Sequence, residues 1–291
     1  MPSTVVLQSV MAYKTIAFYG AGMLGSGFVK SLRRQGYDVR VWNRTFEKAK
    51  ALESVGAHAF EDAAEAARGA DIVHICVRDE AAVDDVLARA LPGIAKTAPI
   101  VDHTTVNVET VAPRAARLNG AGYAFLYAPV FMGPPQAENA QGIMLASGSQ
   151  PVFDAVQDHL ATMTGKVKYL GERVDLAGVY KLMGNAMILA VIGGLSDTLT
   201  IARAQGLSPV EAYELFSFYS IEGQITGRGK RMAEGDFSPF WTLEMAEKDA
   251  RLMQAAAKGA PLPVIDAVDA AMRERMARKL GDRDLGVLAE R

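Results

Sequence analysis

Residues 14–34 have the sequence KTIAFYGAGMLGSGFVKSLRR, and this stretch decides the fold of the chain. It begins with a short apolar segment, passes through three glycines spaced as G-x-G-x-x-G, and continues with a helical pattern. This order predicts a buried strand, a tight turn and a helix. Gly20 allows the turn, Gly22 lets a pyrophosphate approach the backbone, and Gly25 lets the helix pack closely on the strand.

A second strand is predicted at 38–42, and it is followed by Asn43, Arg44 and Thr45. A dinucleotide-binding fold places the group that recognises the ribose here, about 20 residues after the glycine turn. An acidic residue would favour NAD, because it bonds the 2′-hydroxyl and repels a 2′-phosphate. Arg44 instead can clamp a phosphate through two charge-assisted hydrogen bonds, so the sequence predicts NADP(H). The alternative is a structural glycine turn followed by a solvated arginine.

Composition limits the class of protein. The chain has 291 residues, 50% of them hydrophobic, which is enough for a large core and one or two domains. Its 31 basic and 33 acidic residues form no basic run, which argues against a nucleic-acid or anionic-membrane partner. The single cysteine, Cys76, fits a reducing cytoplasm, and its apolar neighbours predict a core position. The apolar run 186–195 is short for a membrane span, so we expect a soluble protein.

Strand and helix patterns alternate from the glycine turn to residue 170, which predicts a doubly wound, mostly parallel sheet with helices on both faces. From Asp175 the pattern is helical throughout. We therefore predict an N-terminal extension at 1–13 without signal-peptide character, an α/β Rossmann domain at 14–174, and an all-α helical bundle at 175–291. Its first helix, at about 175–205, is apolar on nearly every face near 185–195, which predicts that other helices bury it.

Polar residues follow several predicted strands, where open parallel sheets collect ligands. Arg78 follows the strand that ends at Val77, and His103, Thr104 and Thr105 follow the next one. The two threonines could bind a substrate or cap the following helix. His103 is a possible contact, whereas His74 alternates with apolar residues and is predicted in the core. The four histidines lack metal-ligand spacing, so no metal site is predicted.

Lys181 lies in an otherwise apolar helical segment, with Asn185 four residues later on the same face. Burying a lysine without a partner is costly, and desolvation lowers its pKa toward the range that a general acid or base needs. The alternative is a lysine whose head reaches solvent at the helix edge.

Taken together, these residues make the chain resemble the β-hydroxyacid dehydrogenase family, which is 6-phosphogluconate dehydrogenase-like. The family includes 3-hydroxyisobutyrate dehydrogenases and glyoxylate or succinic semialdehyde reductases. The resemblance runs from Lys14 to the C-terminus. The motifs that carry it are the glycine turn, 102–105 (DHTT), 128–130 (APV) with Gly133, Gly178 with Lys181 and Asn185, Lys248 with Asp249, and 281–284 (GDRD).

The resemblance implies an NADPH-dependent oxidoreductase, expected as a cytoplasmic homodimer, that interconverts a small aldehyde or keto acid and its hydroxy acid. It implies that Lys181 is the catalytic acid or base, that Asn185 orients the substrate, and that Lys248 and Asp249 close the site. The predicted cofactor-binding residues are Gly20, Ala21, Gly22, Met23, Leu24, Gly25, Asn43, Arg44, Thr45, Val77, Arg78, Thr105 and Lys248. The predicted substrate-binding residues are Thr104, Thr105, Phe131, Met132, Gly133, Trp241 and Asp249.

Three departures from the family pattern concern the substrate. Gly184 stands where the family usually has Asn, and Phe131 and Met132 replace a serine and a glycine that hold the substrate's carboxylate. Trp241 falls where relatives often carry a phenylalanine. We therefore expect glyoxylate and short semialdehyde acids to be poor substrates and a larger, more apolar carbonyl compound to be better, unless the loop turns Phe131 away from the site.

Two other functions stay open at this point. Imine reductases share the architecture and resemble residues 131–135 (FMGPP), although they typically carry Asp or Tyr where this chain has Lys181. A non-catalytic NADP-binding module is the second, and the retained Lys181, Asn185 and Lys248 argue against it.

Overall fold

A computed structural model of the protein describes residues 13–290, so the predicted extension at 1–13 lies almost wholly outside the described residues. The decisive stretch folds as predicted, into strand β1 (Thr15–Tyr19), the glycine turn and helix α1 (Met23–Arg34). Strand β2 (Asp38–Trp42) then pairs with β1 in parallel. The N–H of Gly20 donates to the carbonyl of Trp42, which joins the turn to the end of the second strand.

The strands β1 to β6 form one parallel six-stranded sheet in the order β3-β2-β1-β4-β5-β6. This is the strand order of the dinucleotide-binding fold, so the predicted doubly wound Rossmann architecture is confirmed. The remaining strands of this sheet are β3 (His58–Phe60), β4 (Ile72–Ile75), β5 (Ile100–Asp102) and β6 (Phe125–Tyr127). The connecting helices are α2 (Phe46–Lys50), α3 (Ala63–Ala67), α4 (Glu80–Ala90) and α5 (Val111–Gly120), with 3₁₀ turns at Ala51–Val55 and Val108–Thr110.

Strand β1 is buried on both faces, which explains its continuous apolar sequence. Ile16 and Phe18 belong to the core on one side of the sheet. Ala17 and Tyr19 belong to the core on the other side. Because successive side chains of a strand point to opposite faces, one central strand contributes to both layers.

A second, smaller sheet forms at the end of the first domain. After β6 the chain forms a separate strand, β7 (Val130–Phe131). Pro129 lies between them, and its missing N–H interrupts the hydrogen-bond ladder of the main sheet. With β8 (Ile143–Ala146) and β9 (Lys166–Tyr169), β7 makes a second, three-stranded mixed sheet. Helices α6 (Pro134–Glu138) and α7 (Gln150–Thr162) complete this region.

A single 29-residue helix, α8 (Leu176–Ala204), follows and runs through both compact units of the chain. The first unit extends to Gly184 and the second begins at Asn185, so the boundary falls inside this helix, whereas the sequence placed it at the start of the helix. In the first unit, an added Cβ at Gly178 would lie 2.9 Å from Tyr127 Cε1 and from Val108 Cγ1. Glycine therefore lets the first turn of α8 lie close to the end of the main sheet.

The prediction that the middle of α8 is buried by other helices is wrong for the single chain. Met187, Ile188, Leu189 and Ile192 are all more than half exposed. A window of this helix has a mean hydropathy of 1.6 with 11% of its residues buried, so by length and composition alone α8 could cross a membrane. The uninterrupted apolar run at 186–195 is shorter than the hydrophobic part of α8, because the glycines and threonines that interrupt the run leave the average hydropathy of the helix high.

The second unit is helical, as predicted, although several of its helices are short. They include α9 (Pro209–Tyr213), α10 (Leu215–Phe218), a π-helical turn (Gln224–Arg228) and α11 (Gly229–Glu234). Ser208 and Glu211 form a capping box at the start of α9, since the Ser208 hydroxyl accepts from Glu211 N–H and the Glu211 carboxylate accepts from Ser208 N–H. Helices α12 (Leu243–Ala256) and α13 (Pro263–Ala277) and a 3₁₀ turn (Leu285–Ala289) follow.

Candidate active site

The three glycines of the turn have the geometry that a dinucleotide requires. Gly20 has a φ of 111°, and a Cβ there would lie 2.1 Å from the carbonyl oxygen of Cys76. A Cβ at Gly25 would lie 2.0 Å from the carbonyl oxygen of Gly20, so both positions exclude side chains. A Cβ at Gly22 would meet no atom within 4 Å, which leaves open space beside the backbone. A pyrophosphate can therefore approach at Gly22, and helix α1 begins there with no acidic residue in its first turn.

A cleft of about 560 Å³ lies over this turn. It extends from the glycines to the ends of β2 and β4 and contains most of the predicted cofactor residues. It is lined by Gly20, Gly22, Met23, Leu24, Gly25, Trp42, Asn43, Arg44, Thr45, Lys48, Cys76, Val77, Arg78, Ala82, Asp85 and Val86. Cys76 packs against the core but is only partly buried and lines the cleft, and burial raises the pKa of its thiol to about 12, so the thiol stays neutral.

The carboxylates near the cleft are paired with other arginines and do not neutralise the cations that line it. Arg44 and Lys48 line its ribose end, and Lys48 was missed by the motif because it lies one helical turn beyond the three-residue signature. Asp79 is bound by Arg78 at 2.6 Å, and Asp85 is bound by Arg89 at 2.8 Å. A hydrogen bond from Ala82 N–H and the Arg78 contact lower the pKa of Asp79, so it stays ionised and paired. These pairings leave Arg44 and Lys48 as the cations available to a phosphate.

Asn43 and Ala21 hold the turn together. The Asn43 side-chain oxygen accepts from Ala21 N–H at 3.0 Å, and its amide donates to the Thr45 carbonyl at 2.8 Å. Ala21 itself is buried. Asn43 and Ala21 therefore position the loop, while Arg44 and Thr45 are exposed and line the cleft.

Thr104 supports the cofactor cleft from below. It is 1% exposed, its hydroxyl accepts from Val77 N–H at 3.1 Å, and its own N–H donates to Asp102. Burial raises the pKa of Asp102 to about 6 against the opposing effect of these hydrogen bonds. This placement contradicts the predicted role of Thr104 in substrate binding, because its hydroxyl is buried and already bonded.

Thr105, by contrast, is exposed and available to a ligand. Neither threonine caps the next helical turn, since Asn107 accepts from Glu109 N–H there. The sequence could not separate these roles, because adjacent residues after a strand point to opposite sides of the chain.

Lys181 lies on the face of α8 that also carries Gly178 and Gly184, at helical spacings of three. Burial lowers the pKa of its ammonium below the usual range, as predicted from its apolar surroundings. Its Nζ lies 4.2 Å from the centroid of the Phe131 ring. The loop therefore turns the Phe131 ring toward Lys181, the predicted acid, and not away from it.

The loop after Phe131 has few free donors. The N–H of Gly133 donates to Gln136 Oε1 at 2.7 Å. Helix α6 then begins with Pro134 and Pro135, which have no N–H. Met132 is partly buried against the core. The N–H of Gly133 is thus occupied, and Pro134 and Pro135 have none to offer a carboxylate.

The remaining predicted residues belong to the second unit. Asn185 is its first residue, one turn after Lys181 on α8. Lys248 and Asp249 lie on α12, where Lys248 Nζ is 3.0 Å from Asp249 Oδ1. The lysine is 53% exposed. The structure thus joins these two residues to each other.

Trp241 lines an apolar cavity of about 880 Å³ within the second unit, together with Ile188, Tyr219, Ile225 and Arg228. Asp284, which the sequence marked only as part of a motif, organises this wall. It accepts from Trp241 N–H at 3.1 Å and from Arg228 Nε at 3.1 Å. Burial opposes ionisation of Asp284, but bonds from the N–H groups of Gly286 and Trp241 and from Arg228 outweigh it and lower its pKa.

Three histidines that are far apart in the sequence form a hydrogen-bonded chain in the first unit. His103 Nδ1 lies 2.8 Å from the Ala128 carbonyl, His74 Nδ1 lies 2.9 Å from His103 Nε2, and His159 Nε2 lies 3.0 Å from His74 Nε2. A carbonyl can only accept, so each neutral ring donates toward Ala128. His103 is therefore a core residue and no ligand contact.

The hydrogen-bonded histidines predict that the folded protein is less stable at acidic pH. Burial lowers the pKa of His103 and of His159 to about 4 and holds that of His74 well below its usual range, so all three stay neutral in the fold. The unfolded chain takes up these protons below about pH 6.5, so stability falls as pH decreases from there toward 4. Asp102, with its raised pKa, has the opposite sign and offsets one histidine. The net difference is two protons, which corresponds to a loss of about 3 kcal/mol per pH unit between pH 6 and 4.

Urea unfolding at several pH values measures this slope. His159→Gln should reduce it by the contribution of one proton, about 1 kcal/mol per pH unit. Equal slopes for the parent and His159→Gln would show that the histidine chain does not control acid stability.

Comparison with known proteins identifies the family. The family model for the NAD-binding domain of 6-phosphogluconate dehydrogenase matches residues 15–171, more than half of the chain. The chain belongs to this family. The predicted resemblance is thereby confirmed at the level of 6-phosphogluconate dehydrogenase-like, NAD(P)-dependent oxidoreductases.

Two relatives show how this family member compares along its length. An uncharacterised oxidoreductase from Shewanella frigidimarina is 31% identical over 271 residues, which cover 91% of this chain and 93% of the relative. The cytokine-like nuclear factor N-PAC from Xenopus tropicalis is 29% identical over 285 residues. That match covers 94% of this chain but 52% of N-PAC, so the chain spans about half the length of this relative.

The same two-part fold occurs in a solved imine reductase from Pseudomonas sp.. The two structures superpose with a TM-score of 0.86 at 24% identity, over 94% of this chain and 98% of the other. At this identity the similarity shows the fold, and the predicted Rossmann domain followed by a helical region is confirmed.

Proposed function

We propose that this 6-phosphogluconate dehydrogenase-like protein is an NADPH-dependent reductase of a carbonyl compound, with Lys181 as the proton donor. The observation that carries the proposal is a half-buried lysine, with a pKa lowered by burial, in the same compact unit as the dinucleotide cleft. The nicotinamide supplies the hydride that adds to the carbonyl carbon. Lys181 donates its proton to the oxygen and regains one from solvent.

The preference for NADPH rests on the ribose end of the cleft. Arg44 and Lys48 line it, while the nearby Asp79 and Asp85 are each paired with another arginine. A guanidinium bonds a phosphate through two parallel hydrogen bonds, and a lysine adds a point charge. The 2′-phosphate that distinguishes NADP from NAD is the ligand that this pair fits.

We assign supporting roles from the family resemblance to the other polar residues. Asn185 would orient the substrate oxygen, the exposed Thr105 would hold a polar group of the ligand, and Lys248 with Asp249 would close the site. Trp241 would line the apolar side of the pocket.

The main experiment follows NADPH oxidation with a panel of aldehydes, keto acids and preformed imines. Carbonyl reduction supports the proposal. Reduction of imines alone would favour the second candidate, an imine reductase, for which the shared fold and the proline-containing loop at 131–135 argue. Tight NADPH binding with no turnover on either set would identify a non-catalytic module and contradict the proposal.

The substrate is expected to be larger and more apolar than glyoxylate. Phe131 offers no hydroxyl, Gly133 N–H is occupied by Gln136, and two prolines follow. Losing one hydrogen bond to a charged group costs about 1.5–3 kcal/mol, which is about ten- to more than a hundredfold in affinity. We therefore expect kcat/KM to be higher for an aromatic or branched aldehyde than for glyoxylate or succinic semialdehyde.

Phe131→Ser tests this argument, because it restores a hydroxyl and removes the ring. The ratio of kcat/KM for glyoxylate to that for the aromatic aldehyde should rise in this variant. If glyoxylate is the best substrate of the parent and the substitution leaves the ratio unchanged, the pocket argument is wrong.

We also propose a homodimer. The apolar side chains of α8 that stay exposed in one chain, such as Leu189 at 73%, need a cover, and a second copy of this helix is an apolar partner of matching length. Sedimentation without detergent should give twice the chain mass, and Leu189→Lys should give a monomer. Sedimentation of the parent as a monomer, or a need for detergent to stay in solution, would contradict the proposal.

A further inference from the structure

Phe131 and Lys181 form a contact that no sequence motif indicated. The ammonium lies 4.2 Å from the ring centroid, well within the distance at which a cation is attracted to the face of an aromatic ring. Among residues 13–184 no carboxylate forms an ion pair with this ammonium, and burial by itself disfavours the charge. The ring is therefore the group beside Lys181 that stabilises its charged form.

Gly184 makes this contact possible. An ideal Cβ at residue 184 would lie 2.3 Å from Cζ and 2.6 Å from Cε1 of Phe131, and real Cβ atoms are not found this close to other atoms. The obstruction involves the tip of a ring whose base is fixed on β7, where Phe131 pairs with Ile143. Any larger residue at 184 must therefore displace the ring. This explains why glycine stands here even though it destabilises a helix interior relative to alanine.

The Phe131 ring and Gly184 are thus complementary in shape. The ring occupies the volume that a side chain at 184 would fill, and it lies against the turn of α8 that follows Lys181. The two departures from the family pattern are therefore linked, because the ring of Phe131 in this position requires a residue without a Cβ at 184.

We propose that Phe131 is a positioning residue for Lys181 and that Gly184 is the residue that admits its ring. The ring face holds the ammonium and favours the protonated form, which is the form that donates to the substrate. A carboxylate partner would occupy one of the three N–H donors of the ammonium with a hydrogen bond. The ring accepts no such hydrogen bond, so these donors remain for the substrate. The proposal rests on the proposed role of Lys181 as the acid.

The test compares Phe131→Leu with Phe131→Tyr. Leucine keeps the site apolar but has no aromatic face, while tyrosine keeps the face. A cation–π contact of this kind changes the ratio of ammonium to amine by about two- to fivefold at a given pH. In Phe131→Leu the basic limb of the pH profile of kcat should therefore move to lower pH, and in Phe131→Tyr it should stay in place.

Gly184→Ala provides the second arm, since its methyl group should displace the ring. It should move the pH profile as Phe131→Leu does, and it should have little further effect in the Phe131→Leu background, where no ring tip remains. Gly120→Ala is the matched control, because a Cβ at the last residue of α5 meets no atom within 4 Å. Fully additive effects of Gly184→Ala and Phe131→Leu would overturn the proposal.

A readout without turnover separates this proposal from the proposed function. The rate at which acetic anhydride acetylates Lys181, followed by peptide mass spectrometry, reports its neutral fraction. At neutral pH this rate should be about two- to fivefold higher in Phe131→Leu than in the parent and unchanged in Phe131→Tyr. NADPH binding verifies that each variant is folded. Equal rates in the parent and Phe131→Leu would overturn the proposal, whereas a parent that reduces no substrate but shows the difference would contradict the function alone.

Discussion

Lys181→Ala is expected to lower kcat by about 10²- to 10⁴-fold, the usual contribution of a positioned general acid. The developing alkoxide would then have to take its proton from water. The affinity for NADPH should stay unchanged, because the cleft is lined by residues 20–86 and Lys181 is not among them. Stopped-flow reduction measures the chemical step, and quenching of protein fluorescence by NADPH measures binding.

Lys168→Ala is the matched control, because this exposed lysine lies on β9 in the same compact unit. It should keep both the parent rate and the parent affinity. Retained turnover in Lys181→Ala would remove the lysine from the mechanism. A variant that no longer binds NADPH would show that the lysine acts on the cofactor instead.

Arg44→Asp is expected to reverse the cofactor preference. The substitution removes hydrogen bonds to the 2′-phosphate and places a like charge beside it, so the Kd for NADPH should rise by about ten- to more than a hundredfold. NADH should bind as well as before or better, since an aspartate at this position accepts from the ribose 2′-hydroxyl. Titrations of the parent and of Arg44→Asp with NADPH and with NADH measure the change.

Two further substitutions make the cofactor test specific. Lys48→Ala should weaken NADPH binding less than Arg44→Asp, because it removes one cation of the cleft and adds no repulsion. Lys50→Ala, on the same short helix but outside the cleft, should change nothing. Equal affinities of the parent for NADPH and NADH would contradict the assignment of Arg44.

The sequence alone determined the local parts of the Rossmann domain. The glycine turn, the strands beside it and the position of Arg44 depend on backbone sterics and on residues close together in the chain, so a motif of fixed spacing predicts them. The same holds for the Ser208 capping box and for the pairing of Lys181 with Asn185 on one helical face. In each case the relevant contacts form within one or two turns or strands.

Only the tertiary structure decided the features that depend on distant residues. His74, His103 and His159 meet because β4, β5 and α7 pack against one another, and spacing in the chain carries no sign of this. The burial of Thr104 and the exposure of Thr105 depend on which side of the strand end faces the next strand. The exposure of α8 in a single chain was missed because hydrophobic composition shows that a helix needs cover and cannot show what supplies it. The fit of Phe131 against Gly184 was hidden for a related reason. A glycine in a helix shows only that a side chain is absent, and the neighbour that fills the space is known only once the fold brings together two residues that are 53 positions apart in the chain.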